Sequence, residues 1–287
     1  MKKYIVWGIL IVLLSCLGGL GGSLLSDKLH LSNKSRPKVH GKLDNFYLKP
    51  SDNHWTSYVD NNLPYIIQHG DLNKRNIAIT FDDGPQYDST EAILTILRDF
   101  QIKATFFVVG SQAEKYPYLL KQMFDDGHEI GNHTFSHKRL TDLSREKAIQ
   151  ELENTRTVIF NQTGFIPYLF RPPGGKFDAE TIEIAKELNY TTVLWTNNSG
   201  DWQALSSNKL SKRVIDNTFP GTIILMHNSD SSSTLSALPT IIRTLKRRGF
   251  AFVTVSQLYS QQNNKSQPVM RTRTSDYSSA RRPMNNI

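Results

Sequence analysis

Residues 77–85 read Ile-Ala-Ile-Thr-Phe-Asp-Asp-Gly-Pro, an apolar run that ends in two adjacent carboxylates and a Gly-Pro pair. The apolar part predicts a buried β-strand, in which successive side chains point to opposite faces. Asp82 and Asp83 can therefore face one site only if the chain leaves the strand here, and we expect Gly84 and Pro85 to make that departure. A solvated acidic loop is the competing interpretation. Carboxylates at the carboxyl end of a strand are typical of α/β active sites, so this stretch indicates both a strand and a site.

Strand and helix patterns alternate along the rest of the chain. Strand patterns cover residues 103–109, 129–132, 168–171, 191–196, 223–226 and 252–255, and helical patterns cover residues 112–124, 144–160, 178–188, 210–217 and 238–248. Another helix follows Asp83, with Asp88 as its predicted cap, and Asp178 is the predicted cap of a later one. No Gly-x-Gly-x-x-Gly sequence opens a helix, so a dinucleotide fold has no support. About seven strand–helix units in series favour an α/β fold built as a distorted (β/α) barrel of parallel strands over a doubly wound open sheet.

The composition is that of one globular domain with flanks. Of 287 residues, 38% are apolar and 21% are charged, which is ordinary for a folded domain. We divide the chain into a membrane anchor or signal segment (residues 1–25), a polar stalk and lead-in (26–70), a folded domain (71–260) and a basic tail (261–287). The tail has little apolar content, so we predict that it is disordered.

The positive charge is concentrated at the two ends of the chain. Of the net charge of +8, residues 1–45 carry +5 and residues 262–287 carry +4, which leaves −1 for the body. A near-neutral body argues against a nucleic-acid groove, and basic flanks predict contact with an anionic membrane or wall surface. Solvated, disordered flanks are the alternative. The single cysteine, Cys16, excludes an intrachain disulfide framework and a cysteine-based zinc site.

The amino end has the pattern of a targeting or anchoring segment. A basic start, Met-Lys-Lys, precedes the uncharged residues 4–25, which as a helix would reach roughly 33 Å, enough for a hydrocarbon core of about 30 Å. We favour an uncleaved membrane anchor. A cleaved signal peptide is one alternative, and a lipoprotein signal, in which residues 13–16 resemble a lipobox ending at Cys16, is the other. All three place the remaining chain outside the cytoplasm.

Two histidines follow the third strand pattern at metal-ligand spacing. In the segment His133-Thr134-Phe135-Ser136-His137, the imidazoles lie on one face if the segment makes a single helical turn. Taken alone, the pair also has a structural or solvated interpretation. With one carboxylate from Asp82 or Asp83, the two imidazoles form a usual ligand set for catalytic Zn²⁺ with a position left for water. The second aspartate is then free to act as a general base, and Co²⁺, Ni²⁺ or Mn²⁺ can accept the same ligands.

Three later strand ends also carry polar side chains. Residues 170–175 read Phe-Arg-Pro-Pro-Gly-Gly, in which Arg171 can hold the base carboxylate ionised through a forked hydrogen bond and Gly174 offers a bare amide to an oxyanion. Residues 198–202 place a carboxylate beside a tryptophan, and His227 ends another strand. Each has a structural interpretation when taken singly. Five such strand ends in one sheet indicate one active site.

In order, these five segments resemble the five motifs of the polysaccharide deacetylase family, the NodB-homology domain of carbohydrate esterase family 4. The motifs are residues 80–85, 133–137, 171–175, 198–202 and 225–227, and the resemblance covers about residues 71–260. It implies a distorted (β/α) barrel of about seven strands and metal-dependent removal of acetate from N-acetylglucosamine-type units of a cell-wall polysaccharide, with peptidoglycan favoured. An exopolysaccharide or chitooligosaccharide substrate, or a catalytically weak wall-binding module braced by metal, are the alternatives.

The resemblance also implies roles for the charged residues. The residues that would hold the divalent metal are Asp83, His133 and His137. Asp82 would be the general base, and His227 would be the general acid that protonates the leaving amine. Arg171 would orient Asp82, and Asp201 would tune the nearby charged partners.

The same resemblance implies the substrate contacts. Pro173 and Gly174 would meet the substrate, the Gly174 amide would stabilise the oxyanion, and Trp202 and Leu225 would line the pocket for the acetyl methyl group. Two positions depart from the family pattern. Asn198 stands where Asp is frequent, and Gly174 stands where Tyr is frequent, so the charge balance and the shape of one side of the groove are open.

Overall fold

The computed structural model describes residues 66–228 and 232–260. Its strands are β1 Ile66–Ile67, β2 Asn76–Asp82, β3 Thr105–Val108, β4 Glu129–Asn132, β5 Leu169–Phe170, β6 Thr191–Val193, β7 Asn197–Asn198, β8 Ile223–His227 and β9 Ala251–Phe252. Its helices are α1 Tyr87–Asp99, α2 Gly110–Lys115, α3 Pro117–Asp125, α4 Arg145–Thr163, α5 Ala179–Glu187, α6 Ser207–Asp216, α7 Ser232–Arg247 and α8 Val255–Ser260. The predictions for the anchor, for residues 26–65 of the stalk and lead-in, and for the basic tail lie outside the described residues. Residues 66–70 of the lead-in are described and include β1.

The strands form one parallel sheet that curls into a half-barrel with helices around it. The strand order is β1-β6-β5-β4-β3-β2-β8-β7, and β9 pairs with the amino end of β2. The predicted parallel α/β barrel is therefore confirmed. The described part of the chain has nine strands rather than about seven, because β1 and β7 have only two residues each, too few to show the alternation that identifies a strand in the sequence.

One face of β2 packs against the helices. Ile77, Ile79 and Phe81 are fully buried and belong to the same cluster as Leu94 and Leu97 of α1. Burying one such side chain contributes about 1.5–3 kcal/mol, so this face fixes the register of the central strand.

The opposite face of β2 points to the concave side of the half-barrel. Ala78 belongs to a second cluster with Phe107, Trp195 and Leu225, which come from or follow other strands. Because side chains alternate along a strand, Asp82 lies on the same face as Ala78. Because the other face of β2 is fixed against the helices, Asp82 is directed toward the concave side.

The two predicted helix caps had different outcomes. Asp178 is the cap of α5, and its carboxylate accepts hydrogen bonds from the Thr181 backbone N–H at 2.8 Å and the Thr181 hydroxyl at 2.7 Å. The prediction that Asp88 caps α1 is wrong, since the helix begins one residue earlier at Tyr87. The N–H of the preceding residue, Gln86, instead donates to the Thr90 hydroxyl at 2.7 Å. Asp88 is thereby left inside the first turn.

Proline also divides one predicted helix. The pattern over residues 112–124 predicted one helix, but the chain forms α2 and α3, separated at Tyr116. Tyr116 has φ −125° and ψ 60°, outside the helical region, because the ring of Pro117 disfavours helical geometry in the residue before it.

The pattern over residues 252–255 was predicted as a strand, but the strand ends at Phe252 and α8 begins at Val255. Among the described residues, no helix is both long and apolar enough to cross a membrane.

The Asp178 cap gives a stability prediction. Asp178→Ala removes both hydrogen bonds to Thr181, so we expect the free energy of unfolding to fall by about 1 kcal/mol. Ser206→Ala is the matched control, because Ser206 is the cap residue of α6 but its side chain makes no capping hydrogen bond. Urea unfolding of both variants measures the difference, and equal losses would contradict the assigned role of Asp178.

Candidate functional site

The carboxyl ends of the strands surround a cavity of about 250 Å³. The residues that line it are Asp82, Asp83, His133, His137, Gly174, Trp195, Asn198, Trp202, Leu225 and His227. All five sequence motifs contribute to it, at or directly after β2, β4, β5, β7 and β8, and Trp195, between β6 and β7, is added to them. The parallel sheet therefore brings together segments that are about 150 positions apart in the chain, as the sequence predicted.

The two adjacent aspartates are separated by a sharp change in backbone direction. Asp82 is the last residue of β2 and is almost fully buried. The departure begins one residue earlier than the predicted Gly84 and Pro85, because Asp83 itself adopts the left-handed conformation with φ 75°, and a cis peptide bond joins Gly84 to Pro85 after it. Gly84 is required for space instead, since a Cβ there would lie 2.1 Å from the Asn228 amide nitrogen. The turn at Asp83 allows neighbouring carboxylates to face the same cavity.

The two histidines are also brought together by left-handed residues. Residues 133–137 form no helical turn, so that expectation is wrong. Thr134 has φ 66° and His137 has φ 58°, and this irregular path places the two imidazole centroids 5.1 Å apart. His133 is buried directly after β4, whereas His137 is 47% exposed at the rim.

Asp83, His133 and His137 form a cluster that fits a divalent metal ion. Asp83 Oδ1 lies 3.4 Å from His133 Nε2 and 3.1 Å from His137 Nε2, and the candidate ligand atoms all lie within 4.8 Å of one another. The same Asp83 oxygen is buried and accepts no hydrogen bond. His133 Nδ1 lies 2.7 Å from the Arg171 carbonyl oxygen and must donate to it, so in the neutral ring Nε2 carries a lone pair aimed at the cluster. A divalent cation binds where several atoms with lone pairs converge on one point, and this cluster provides such atoms.

The electrostatics of Asp83 agree with this geometry. Burial raises the pKa of the Asp83 carboxyl, but the contacts with the two imidazoles outweigh burial and hold the pKa below its ordinary value. Asp83 is therefore a carboxylate at neutral pH, the form that binds metal.

Asp82 is held by a buried arginine rather than by the cluster. Arg171 Nη1 donates to Asp82 Oδ1 at 2.8 Å and to the Thr80 hydroxyl at 2.7 Å. The predicted forked hydrogen bond is wrong, because the other guanidinium nitrogens donate to the carbonyls of Val193 and Leu194. Burial lowers the pKa of Arg171, and Asp82 opposes that shift. Asp82 thus keeps one oxygen, Oδ2, directed toward the cavity, 3.7 Å from His133 Nε2.

His227 pairs with the buried carboxylate of Asp201 on the other side of Asp82. His227 Nδ1 lies 2.7 Å from Asp201 Oδ1, and the His227 backbone N–H donates to Asp201 Oδ2 at 2.8 Å. The Ser199 and Thr234 hydroxyls also donate to this carboxylate. Burial lowers the pKa of His227, but the hydrogen bond and charge of Asp201 outweigh burial and raise it. The sequence predicted a tuning role for Asp201 without identifying its partner, which is His227.

The apolar wall of the cavity includes one residue that the sequence analysis missed. Leu225 is buried and Trp202 is 62% exposed, and both line the cavity. Trp195 also lines it, but it lay unremarked within the predicted strand of residues 191–196, where an aromatic residue is typical of any buried strand. The sequence carries no signal that places Trp195 in the cavity. In the structure, Gly175 makes room for the indole ring, because a Cβ there would lie 2.6 Å from it. Pro173 is buried and does not line the cavity, in contrast to Gly174.

Comparisons with known proteins agree with this site. The family described as polysaccharide deacetylase matches residues 69–193. A peptidoglycan-N-acetylglucosamine deacetylase of Bacillus cereus is 40% identical over 198 residues, which cover 68% of this chain and 92% of the relative. A chitooligosaccharide deacetylase of Azorhizobium caulinodans is 34% identical over 194 residues, which cover 62% of this chain and 92% of the relative.

Solved structures share the fold. The crystal structure of a peptidoglycan N-acetylglucosamine deacetylase in complex with 4-naphthalen-1-yl-N-oxidanyl-benzamide has a TM-score of 0.69 and 32% identity, and the match covers 74% of this chain and 99% of that one. A CE4 family pseudoenzyme from Bacillus anthracis has a TM-score of 0.66 and 31% identity, with 69% and 70% covered. The chain therefore belongs to the polysaccharide deacetylase family, carbohydrate esterase family 4, whose enzymes are hydrolases of N-acetyl amide bonds.

Proposed function

We propose that this chain removes acetyl groups from the N-acetylglucosamine units of peptidoglycan with the help of a bound divalent metal ion. The observation that carries the proposal is the convergence of three features on one cavity. These are the cluster of Asp83 with two imidazoles, the Arg171–Asp82 pair and the Asp201–His227 pair. Amide hydrolysis needs an activated water molecule, stabilisation of an oxyanion and a proton for the leaving amine, and the cavity offers a group for each.

The metal ligands in this proposal are Asp83, His133 and His137. A bound divalent ion would polarise the acetyl carbonyl and lower the pKa of a water molecule. Two imidazoles and one carboxylate are a usual set for catalytic Zn²⁺, which is therefore our first choice. Co²⁺, Ni²⁺ and Mn²⁺ accept the same ligands, and the choice among them depends partly on their availability.

Asp82 is the general base. Its Oδ1 is occupied by Arg171, so Oδ2 is the oxygen that can take a proton from the attacking water molecule. Arg171 orients the carboxylate and places a positive charge beside it. The register of the sheet pairs Asp82 of β2 with His227 of β8, so the base and the acid lie side by side.

His227 is the general acid. Asp201 accepts the hydrogen on Nδ1, which orients the ring and stabilises its protonated form, and Nε2 is then the atom that gives a proton to the leaving amine. The backbone amide of Gly174 is assigned to the developing oxyanion, since no side chain stands between it and the cavity. Trp202, Leu225 and Trp195 enclose the acetyl methyl group.

The choice of peptidoglycan rests on the relatives and on the flanks of the chain. The Bacillus cereus relative acts on peptidoglycan, whereas the Azorhizobium relative acts on chitooligosaccharide, so a chitooligosaccharide or an exopolysaccharide is the second candidate. The basic flanks and the predicted amino-terminal anchor favour a substrate at the cell surface. Within this proposal, the folded domain works outside the cytoplasm, tethered to the membrane, with a lipoprotein through Cys16 or a cleaved, secreted form as alternatives.

A binding module with little catalytic activity is the candidate from a different class. It is favoured by the pseudoenzyme from Bacillus anthracis, which shares the fold. A binding module has no use for a base and an acid, so the presence of both Asp82 and His227 supports an active deacetylase here.

Acetate release from peptidoglycan is the decisive test. We expect the full chain to release acetate, a chelator to abolish the release, and added Zn²⁺ to restore it. Asp82→Asn should lower kcat by about 10²- to 10⁴-fold, because the base is lost while its shape is kept. Asp99→Asn, at an exposed position at the end of α1, is the control and should keep full activity. If Asp82→Asn releases acetate as fast as the unmodified chain, Asp82 is not the base. If no acetylated glycan yields acetate, a binding module is favoured.

Metal content tests the ligand set independently of activity. His133→Ala should weaken metal binding by at least about tenfold, because it removes a ligand that is buried and oriented by the Arg171 carbonyl. His69→Ala is the matched control, since its ring bonds the Gly70 carbonyl outside the cluster. Elemental analysis after dialysis against a metal buffer measures both variants. Full occupancy in His133→Ala would show that His133 is not a ligand.

The pH profile tests the acid. Asp201 raises the pKa of His227, so the protonated, active form persists to higher pH than it would without this partner. Asp201→Asn should therefore move the alkaline limb of the profile of kcat/KM to lower pH. Asp216→Asn removes an exposed carboxylate of α6 that pairs with Lys212, and its alkaline limb should match that of the unmodified chain. An unchanged limb in Asp201→Asn would mean that His227 is not the titrating acid.

A further inference from the structure

An arginine that is not needed by the proposed chemistry lies at the rim of the cavity. Arg139 is exposed and follows His137 by two residues. A Cβ at Gly174, which lines the cavity, would lie 3.8 Å from Arg139 Nε and 3.9 Å from Arg139 Nη2. Because Gly174 has no side chain, the space between its Cα and the guanidinium group is open. Arg139 therefore places a cation beside a residue that lines the cavity.

Arg139 has no carboxylate partner within the part of the chain that the structure describes. Its neighbours differ in this respect, since Lys176 pairs with Asp142 at 3.7 Å and Arg145 pairs with Glu187 at 2.5 Å. Asp142 lies only three residues along the chain but is engaged by Lys176. The guanidinium group is thus available to an external anion.

The backbone holds Arg139 at the rim. It precedes the short turn Leu140–Asp142, whose Leu140 is buried in the core with Leu152 and Phe170. The Asp142 backbone N–H donates to the Arg139 carbonyl at 3.1 Å. The side chain therefore starts from a fixed point, which reduces the entropy lost when it binds a ligand.

We propose that Arg139 determines specificity by binding a carboxylate on the sugar next to the one that is deacetylated. This inference rests on the proposed deacetylase function and names the chemical class of its substrate, an anionic glycan. A guanidinium group is planar, always charged and weakly hydrated, and it matches a carboxylate with two parallel hydrogen bonds. A neutral chitooligosaccharide carries no such group, whereas in peptidoglycan every second sugar carries a lactyl ether that ends in a carboxyl group.

The carboxylate can come from two sources. In a glycan stripped of peptides, the lactyl carboxylate itself is free. In a glycan that retains its peptides, the lactyl carboxyl group is an amide, and the free carboxylates belong to the peptide. Three tetrasaccharides separate these cases: neutral chitotetraose, a peptide-free peptidoglycan fragment and a peptide-bearing one.

The experiment compares kcat/KM of the full chain on the three tetrasaccharides. We expect a preference for at least one anionic fragment over chitotetraose, and Arg139→Gln should reduce that preference about tenfold, mainly through KM. Arg139→Lys should keep part of the preference, because it retains the charge but not the paired geometry. Arg247→Gln, at an exposed position near the end of α7, removes one positive charge elsewhere and should leave the preference unchanged.

A binding measurement separates this inference from the proposed function. Calorimetric titration of the full chain with the same tetrasaccharides needs no turnover, and Arg139→Gln should weaken binding of the anionic fragments more than binding of chitotetraose. An unaltered preference in both experiments would overturn the role of Arg139, even if acetate is released. Absence of acetate release with an Arg139-dependent preference in binding would instead overturn the proposed catalysis and keep the anionic subsite.

Discussion

The buried ion pair between Arg171 and Asp82 is the interaction on which the site depends. The arginine side chain is fully buried, and it ties three strands together through Thr80 and Asp82 of β2 and the carbonyls at the end of β6. An exposed pair such as Lys121–Asp125 contributes only about 0.2–1 kcal/mol, whereas removing one partner of a buried pair costs about 3–5 kcal/mol. The same residue also orients a candidate metal ligand, because its carbonyl accepts from His133. One side chain and its own backbone thus position both Asp82, the proposed base, and the candidate metal cluster.

Two neighbouring carboxylates acquire different roles from their surroundings. Asp82 continues the strand, faces the concave side and is matched by a cation. Asp83 turns away with φ 75° and is surrounded by imidazoles. The surroundings also decide the protonation of His227, because the buried carboxylate of Asp201 favours the protonated ring. The residues proposed as acid, base and metal ligand therefore differ in their surroundings, because each has a different partner that comes from a different strand end.

The sequence could predict the parts of this site that depend on regular structure. The buried strand that ends at Asp82, the capped helix after Asp178 and the strand end at His227 all leave patterns in the sequence, and parallel pairing brings strand ends together. The irregular parts leave no such pattern. Left-handed residues at Asp83, Thr134 and His137 decide where the candidate ligands point, and none of them is a glycine. The position of the Arg139 guanidinium group beside Gly174 likewise depends on loop geometry that local sequence does not encode.

The fold and the catalytic chemistry depend on different residues of the same site. Asp83 and His137 lie at the rim with 30% and 47% of their side chains exposed, so the core loses little packing if they change. Arg171 and Asp201 are buried within hydrogen-bond networks that join several strands, so changing them disturbs the sheet itself. A chain of this family can therefore lose the chemistry and keep the fold, which is the combination that a pseudoenzyme with the same architecture represents. This chain has the partly exposed candidate ligands Asp83 and His137 as well as the buried residues Arg171 and Asp201. Their combination, rather than the barrel alone, argues for catalysis.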